Sequence, residues 1–187
     1  MMKRFVLRIF LLSICLNAGT CHAAAQDQYV YETFFKDKKR GTFVEIGSFK
    51  EPQDSRTYTL EKDRGWKGLY IQDSDEGLEK LKAFRNCLCL KQNLLDPSGS
   101  KKGALSSLIK DQGLEHVHFM SLSTGKDELQ LLKSIDFTKL SVDVITARVD
   151  TEIAEALTYM KEQGFQAVRR IHEDVVFVRQ GFIPSRS

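Results

Sequence analysis

The chain has 187 residues, 42% of them hydrophobic and 28% charged, a composition that fits one folded domain of ordinary size with a real core and excludes disorder over most of its length. The formal net charge of +3 is a property of the amino terminus: taking Lys3, Arg4 and Arg8 from 28 basic side chains leaves 25, against 25 acidic ones. A balanced remainder gives no footprint for a nucleic-acid partner, and none is expected.

The first element is "MMKRFVLRIFLLSICLNAGTCHAAA", with early cations, an apolar run from Ile9 to Leu16 and small residues at its end. This is the layout of a secretory signal peptide, read here as residues 1–23, with the domain occupying residues 24–187. The apolar run falls short of the about 20 residues a membrane span needs. The expected destination is therefore secreted or periplasmic, with no stable membrane span after cleavage. Cys15 and Cys21 leave with the signal, and Cys87 and Cys89 remain.

"QYVYETFF" places apolar residues at helical spacing, and "KDKKRG" ends it. "TFVEIG" is a short buried strand ending at Gly47, and "WKGLYIQ" is a second. "DEGLEKLKAF" predicts a helix with Leu78, Leu81 and Phe84 on one side. "NCLCLKQ" is a third strand, whose Cys87 and Cys89 share a face and suit burial better than a mutual disulfide. "GALSSLIKDQG" predicts a helix, "HVHFMSLS" a fourth strand, "KDELQLLKSI" a helix and "VDVITARVD" a fifth strand. "TEIAEALTYMKEQG" is a helix stopped by Gly164. "FQAVRRIHEDVVFVRQ" closes the chain as two runs joined near His172 to Asp174 in hairpin fashion. Strands alternating with helices imply an α/β domain: a parallel sheet covered on both faces, with one antiparallel strand at or near the edge.

In such sheets ligands bind outside the carboxyl ends of the strands, where strand order reverses. The ends to inspect are Gly47, Gln72, Lys91 to Asn93, and Ser123. Here the segments "QDQYVYETFF", "GTFVEIG", "RTYTLEKDRGWKGLYI", "FMSLSTGKDELQLLKSIDF" and "KEQGFQAVRRIHEDVVFVR" resemble successive blocks of the FkbM family of S-adenosylmethionine-dependent methyltransferases. The resemblance implies a Rossmann-like class I methyltransferase fold, with a seven-stranded, mostly parallel sheet carrying one antiparallel strand. It implies S-adenosylmethionine as cofactor, and as cofactor-binding positions Glu45, Gly47, Ser48, Gln72, Asp73 and Ser123.

The chain departs from the family pattern at three strand ends. After the first strand the family has a run like Gly-Ala-Asn-Asp-Gly, and this chain has Gly47-Ser48-Phe49-Lys50-Glu51. The family's second strand ends in a Glu that accepts from both ribose hydroxyls, whereas Gln72 offers one acceptor oxygen and two donors. Asp73, one residue on, points to the opposite face if the strand continues. The fourth-strand acids are replaced by Ser123 and Gly125, while Glu128 is kept.

Among other residues, Glu45 reads either as a buried acid near the cofactor or as a charge directed to a basic partner. His116 and His118 share a strand face, but no Cys or acid sits at a matching spacing, so structural histidines and no metal are expected. Asp54 and Asp63 read as solvated, and Trp66 as packing a turn. No nucleophile elbow or phosphate loop is present.

Two functions follow. One is an exported methyltransferase that moves a methyl group from S-adenosylmethionine to an oxygen of a sugar or similar small-molecule acceptor. The other is a non-catalytic pseudoenzyme, a binding or interaction domain outside the cytoplasm with a protein partner.

Overall fold

Short β-branched and aromatic runs alternate with amphipathic segments along this chain; the runs become strands, the central ones buried by the helices beside them. The computed structural model describes residues 22–47, 54–94, 102–125 and 127–185. The proposed signal peptide falls almost wholly outside the described residues.

In chain order the elements are α1 (His22–Phe34), β1 (Thr42–Gly47), α2 (Tyr58–Lys62), β2 (Lys67–Gln72), α3 (Asp75–Phe84), β3 (Leu88–Lys91) and α4 (Ala104–Asp111). There follow β4 (His116–Ser123), α5 (Glu128–Ser134), β5 (Ser141–Arg148), α6 (Ile153–Glu162), β6 (Phe165–Ile171) and β7 (Asp174–Arg179). The seven strands form one sheet in the order β3-β2-β1-β4-β5-β7-β6. β1 is parallel to β2 and β4, β2 to β3, and β4 to β5; β7 runs antiparallel to both β5 and β6. This is the mostly parallel sheet expected from the alternation, and the seven-stranded, Rossmann-like sheet that the resemblance implies, with its antiparallel strand second from the edge.

Two apolar layers hold the sheet. On one face Val44 and Ile46 of β1, Leu69 and Ile71 of β2, and Met120 and Leu122 of β4 meet Leu105 and Ile109 of α4, Leu129 and Leu132 of α5, and Ala156 and Met160 of α6. On the other, Phe43, Phe119, Val144 and Val176 meet Val30, Tyr31 and Phe34 of α1 and Leu60 of α2. Burying a large apolar side chain contributes about 1.5–3 kcal/mol each, so these two layers supply the main stabilisation. Trp66 packs a turn as expected: it is 2% exposed, its ring lies against Phe35, and its Nε1–H donates to Lys38 O at 3.0 Å. Gly41 lets it in, because a Cβ there would stand 2.3 Å from the indole.

Two expectations are corrected. Phe84 does not join Leu78 and Leu81 in the core; it is 54% exposed. Residues at 78, 81 and 84 recede round a helix by about 60° per step, so the third lies about 120° from the first. The short α2 has no counterpart in the sequence reading. It carries only one full core anchor, Leu60, and its other buried residue is Glu61.

The edge strand β6 is exposed from Gln166 to Arg170, and its register against β7 shifts between Ala167 and Arg169. β3, the other edge, has only four residues.

Candidate functional site

Chain order reverses between β1 and β4, because β2 and β3 lie to one side of β1 and β4 onward to the other. The crevice at their carboxyl ends is therefore where a ligand of this fold would sit. Gly47 and Ser123 are register partners across it, and Gln72 ends the next strand, opposite Lys91 of β3. The structure thus brings Gly47, Gln72 and Ser123 to one edge of the sheet. Ser48, together with Phe49 to Gln53, lies outside the described residues.

The side chains at this edge are largely occupied. Tyr70, fully buried, donates its hydroxyl to Gly47 O at 3.0 Å; burial, reinforced by Glu45, raises its pKa far above the ordinary phenol value. Gln72 is 3% exposed, and its Nε2 donates to Ser74 O at 3.1 Å. Its amide lies over the first turn of α3, where Gly77 leaves room for it: a Cβ at Gly77 would stand 2.7 Å from both amide heteroatoms. Ser74 caps that helix by accepting from Gly77 N at 3.1 Å. Asp73 is exposed in the turn beside Gln72. Beyond the end of β4, Glu128 at the start of α5 accepts from Gly125 N–H at 2.7 Å.

Glu45 meets a basic partner, Arg85, inside the protein. It has no exposed surface, and Ser55 Oγ and Arg56 N–H donate to its two oxygens at 2.6 Å each. Thr57 Oγ1 donates as well, and Arg85 Nη1 lies 3.5 Å away. Arg85 also bonds Glu61, Ser55 and Thr57. Burial works against the Arg85 charge, but the carboxylates of Glu45 and Glu61 outweigh it and raise its pKa. Glu45 therefore ties the segment before α2 to the sheet, with both of its oxygens engaged by that segment.

Further along the same edge, beyond β4, Gln26, Arg56, Arg148, His172, Glu173 and Asp174 line a cleft of about 470 Å³. Arg56 pairs with Asp174 at 2.9 Å, both nearly buried, and Arg148 with Glu173. Burial lowers the Arg56 pKa and raises that of Asp174, each opposed by the other's charge. Among the described residues, Gln26 Oε1, Arg148 Nε and Asp174 Oδ1 are buried without a hydrogen-bond partner, and all belong to this lining. Sequence reasoning missed these residues. Arg148 could have been found by inspecting the end of β5, but Arg56 and Asp174 are 118 positions apart and carry no local signal.

At the opposite, amino-terminal edge, the two strand histidines acquire the acid that their spacing lacked. Asp143 on β5 lies 2.8 Å from His116 Nε2. Burial, with Lys38 and His116 nearby, holds His118 down to about 4, so its ring is neutral at pH 7. Cys89 is buried and Cys87 half-buried; both thiols are free, with their sulfurs 4.0 Å apart.

No protein-family model and no curated protein sequence matches the chain. Solved structures do match in fold. TrmK of M. capricolum, in complex with S-adenosyl-homocysteine, superposes with a TM-score of 0.53 at 7% identity, covering 83% of this chain and 68% of that one. A methyltransferase from Pyrococcus furiosus gives 0.52 at 12% identity, covering 83% and 82%. Fibrillarin in its complex with Nop5p gives 0.52 at 16%, covering 81% and 77%. The chain has the Rossmann-like class I methyltransferase fold.

Proposed function

We propose that the protein is an exported methyltransferase-like protein of the FkbM type, in which the implied activity is S-adenosylmethionine-dependent methyl transfer to oxygen and cofactor capture is weak. The observation that carries this reading is the crevice itself: Gly47 and Ser123 face each other across the strand-order reversal, with Gln72 ending the adjacent strand. The polar cleft beside it, lined by Arg56, Arg148 and Asp174, suits a hydroxylated acceptor such as a sugar.

The residues present fit the cofactor incompletely. The ribose position holds Gln72, whose amide N–H is already given to Ser74, so a two-acceptor clamp on the ribose is not formed. Glu45 is enclosed by its own partners, and Asp73 is directed to solvent. No chemical step is therefore routed through these groups. These same facts favour a second reading, a non-catalytic domain that binds a partner or a small polar ligand through the carboxyl-edge clefts.

Calorimetric titration of the purified protein with S-adenosylmethionine and with S-adenosylhomocysteine separates the two. Losing a charged hydrogen bond to the ribose weakens binding by about 1.5–3 kcal/mol, roughly ten- to hundredfold. A measurable affinity in the high-micromolar to millimolar range supports the first reading, and none at all supports the second. A low-micromolar dissociation constant would overturn the account of Gln72.

A further inference from the structure

We propose that His116, His118 and Asp143 form a binding site for a first-row divalent transition ion of the zinc type, at the edge of the sheet opposite the crevice. The site is independent of the methyl-transfer reading and uses none of its residues.

Its geometry rests on two rigid strands. His116 and His118 stand two apart at the start of β4, and Asp143 near the start of β5, whose ladder pairs Val117 with Val142 and Phe119 with Val144. One ligand atom from each of the three residues lies within 4.8 Å of the others. The rings of His116 and His118 are 4.4 Å apart, and the Asp143 carboxylate already reaches His116 Nε2 at 2.8 Å. Two imidazoles and one carboxylate make the donor set of a three-protein-ligand zinc site, which leaves a fourth position for water. That position faces solvent here, because the His116 side chain is 45% exposed while Asp143 is 12% exposed.

A surrounding shell orients the ligands. Thr42, the first residue of β1, places its hydroxyl 2.8 Å from His118 Nδ1 and donates that hydroxyl to His116 O at 2.6 Å. Phe35 and Trp66 make T-shaped contacts with the His118 ring, with centroids 6.0 and 5.8 Å from it. Nδ1 is thus engaged and Nε2 is the atom left to ligate. In the metal-free molecule Nδ1 accepts from Thr42 N–H at 3.1 Å, so Nε2 carries the proton. Ligation at Nε2 moves the ring proton to Nδ1, where Thr42 Oγ1 accepts it, and the backbone N–H gives up its acceptor. That exchange, with Lys38 near His118 and Arg179 near Asp143, sets the expected affinity at micromolar rather than nanomolar.

The test is calorimetric titration of the purified protein with Zn²⁺, alongside Co²⁺ titration followed by visible absorption. One ion per chain is expected, with Co²⁺ giving the intense bands of a four- or five-coordinate site. His118→Gln and Asp143→Asn should each weaken Zn²⁺ binding by about 100-fold or more. Thr42→Val, which touches no metal, should weaken it by about 10-fold, as loss of an orienting hydrogen bond does. His172→Asn, at the distant β6–β7 turn, should leave it unchanged. Absence of binding at millimolar Zn²⁺, or an affinity in His118→Gln and Asp143→Asn equal to that of the unaltered protein, would overturn the proposal. If a variant proves unfolded by circular dichroism, the Co²⁺ spectrum of the unaltered protein decides: weak six-coordinate bands refute the site.

Discussion

Replacing Glu45 by Gln tests whether this acid belongs to the fold or to a ligand. The substitution keeps the shape but removes the charge facing Arg85, and it turns one acceptor into a donor aimed at Ser55 or Thr57, which already donate there. Removing one partner of a buried, hydrogen-bonded ion pair costs about 3–5 kcal/mol. Arg85 keeps Glu61, which places the expected loss at the lower end, about 3 kcal/mol. For a domain of this size that corresponds to a fall in Tm of roughly 6–12 °C, read by thermal or urea denaturation. A double variant, Glu45→Gln with Arg85→Met, should lose less than the sum of the single variants by about 1 kcal/mol or more, because the two side chains are in contact. A Tm shift below about 2 °C, together with a loss of S-adenosylmethionine binding, would refute the structural role and return Glu45 to the site.

Three other outcomes are expected. Burial, partly offset by Thr59 and Gln28, raises the Asp27 pKa from 3.8 to about 6, so its contribution to stability is full below about pH 4 and is lost as pH rises through about 6. Asp27→Asn should therefore match the unaltered protein near pH 4 and exceed it above about pH 6 by up to roughly 3 kcal/mol, measured as urea midpoints across pH; a constant difference would refute the assignment. Gly41→Ala drives a methyl into the Trp66 ring and should cost about 1–3 kcal/mol, with a shift in Trp fluorescence as the check. Phe84→Ser, on the exposed side of α3, should change stability by no more than about 0.5 kcal/mol in chemical denaturation.

The sheet was legible because its signal is local. "HVHFMSLS" coincides with β4 and "DEGLEKLKAF" with α3, since an apolar run bounded by turn residues carries its own period. The hairpin at His172 was equally plain, and the structure places that residue in the turn with φ 55. What the sequence withheld depends on distant partners. Glu45 could be read two ways until Arg85, forty positions on, was seen against it. The Asp143 that joins His116 comes from the neighbouring strand, 27 residues later, and no spacing rule along one strand could supply it. The family resemblance makes Gln72 the expected ribose position, yet its attachment to Ser74 follows from the room at Gly77, a three-dimensional fact.

The edges of the sheet limit how this protein can meet others. An exposed strand invites another chain to add itself by backbone hydrogen bonding, and it is defended by irregular register, charge or shortness. β6 has the shift between Ala167 and Arg169, along with Arg169 and Arg170 on its exposed length; β3 has only four residues. Among the described residues neither margin offers a long, straight template, which disfavours strand addition. Contact with another chain through side chains, such as the Arg148–Glu173 pair at the rim of the carboxyl-edge cleft, asks for no such template.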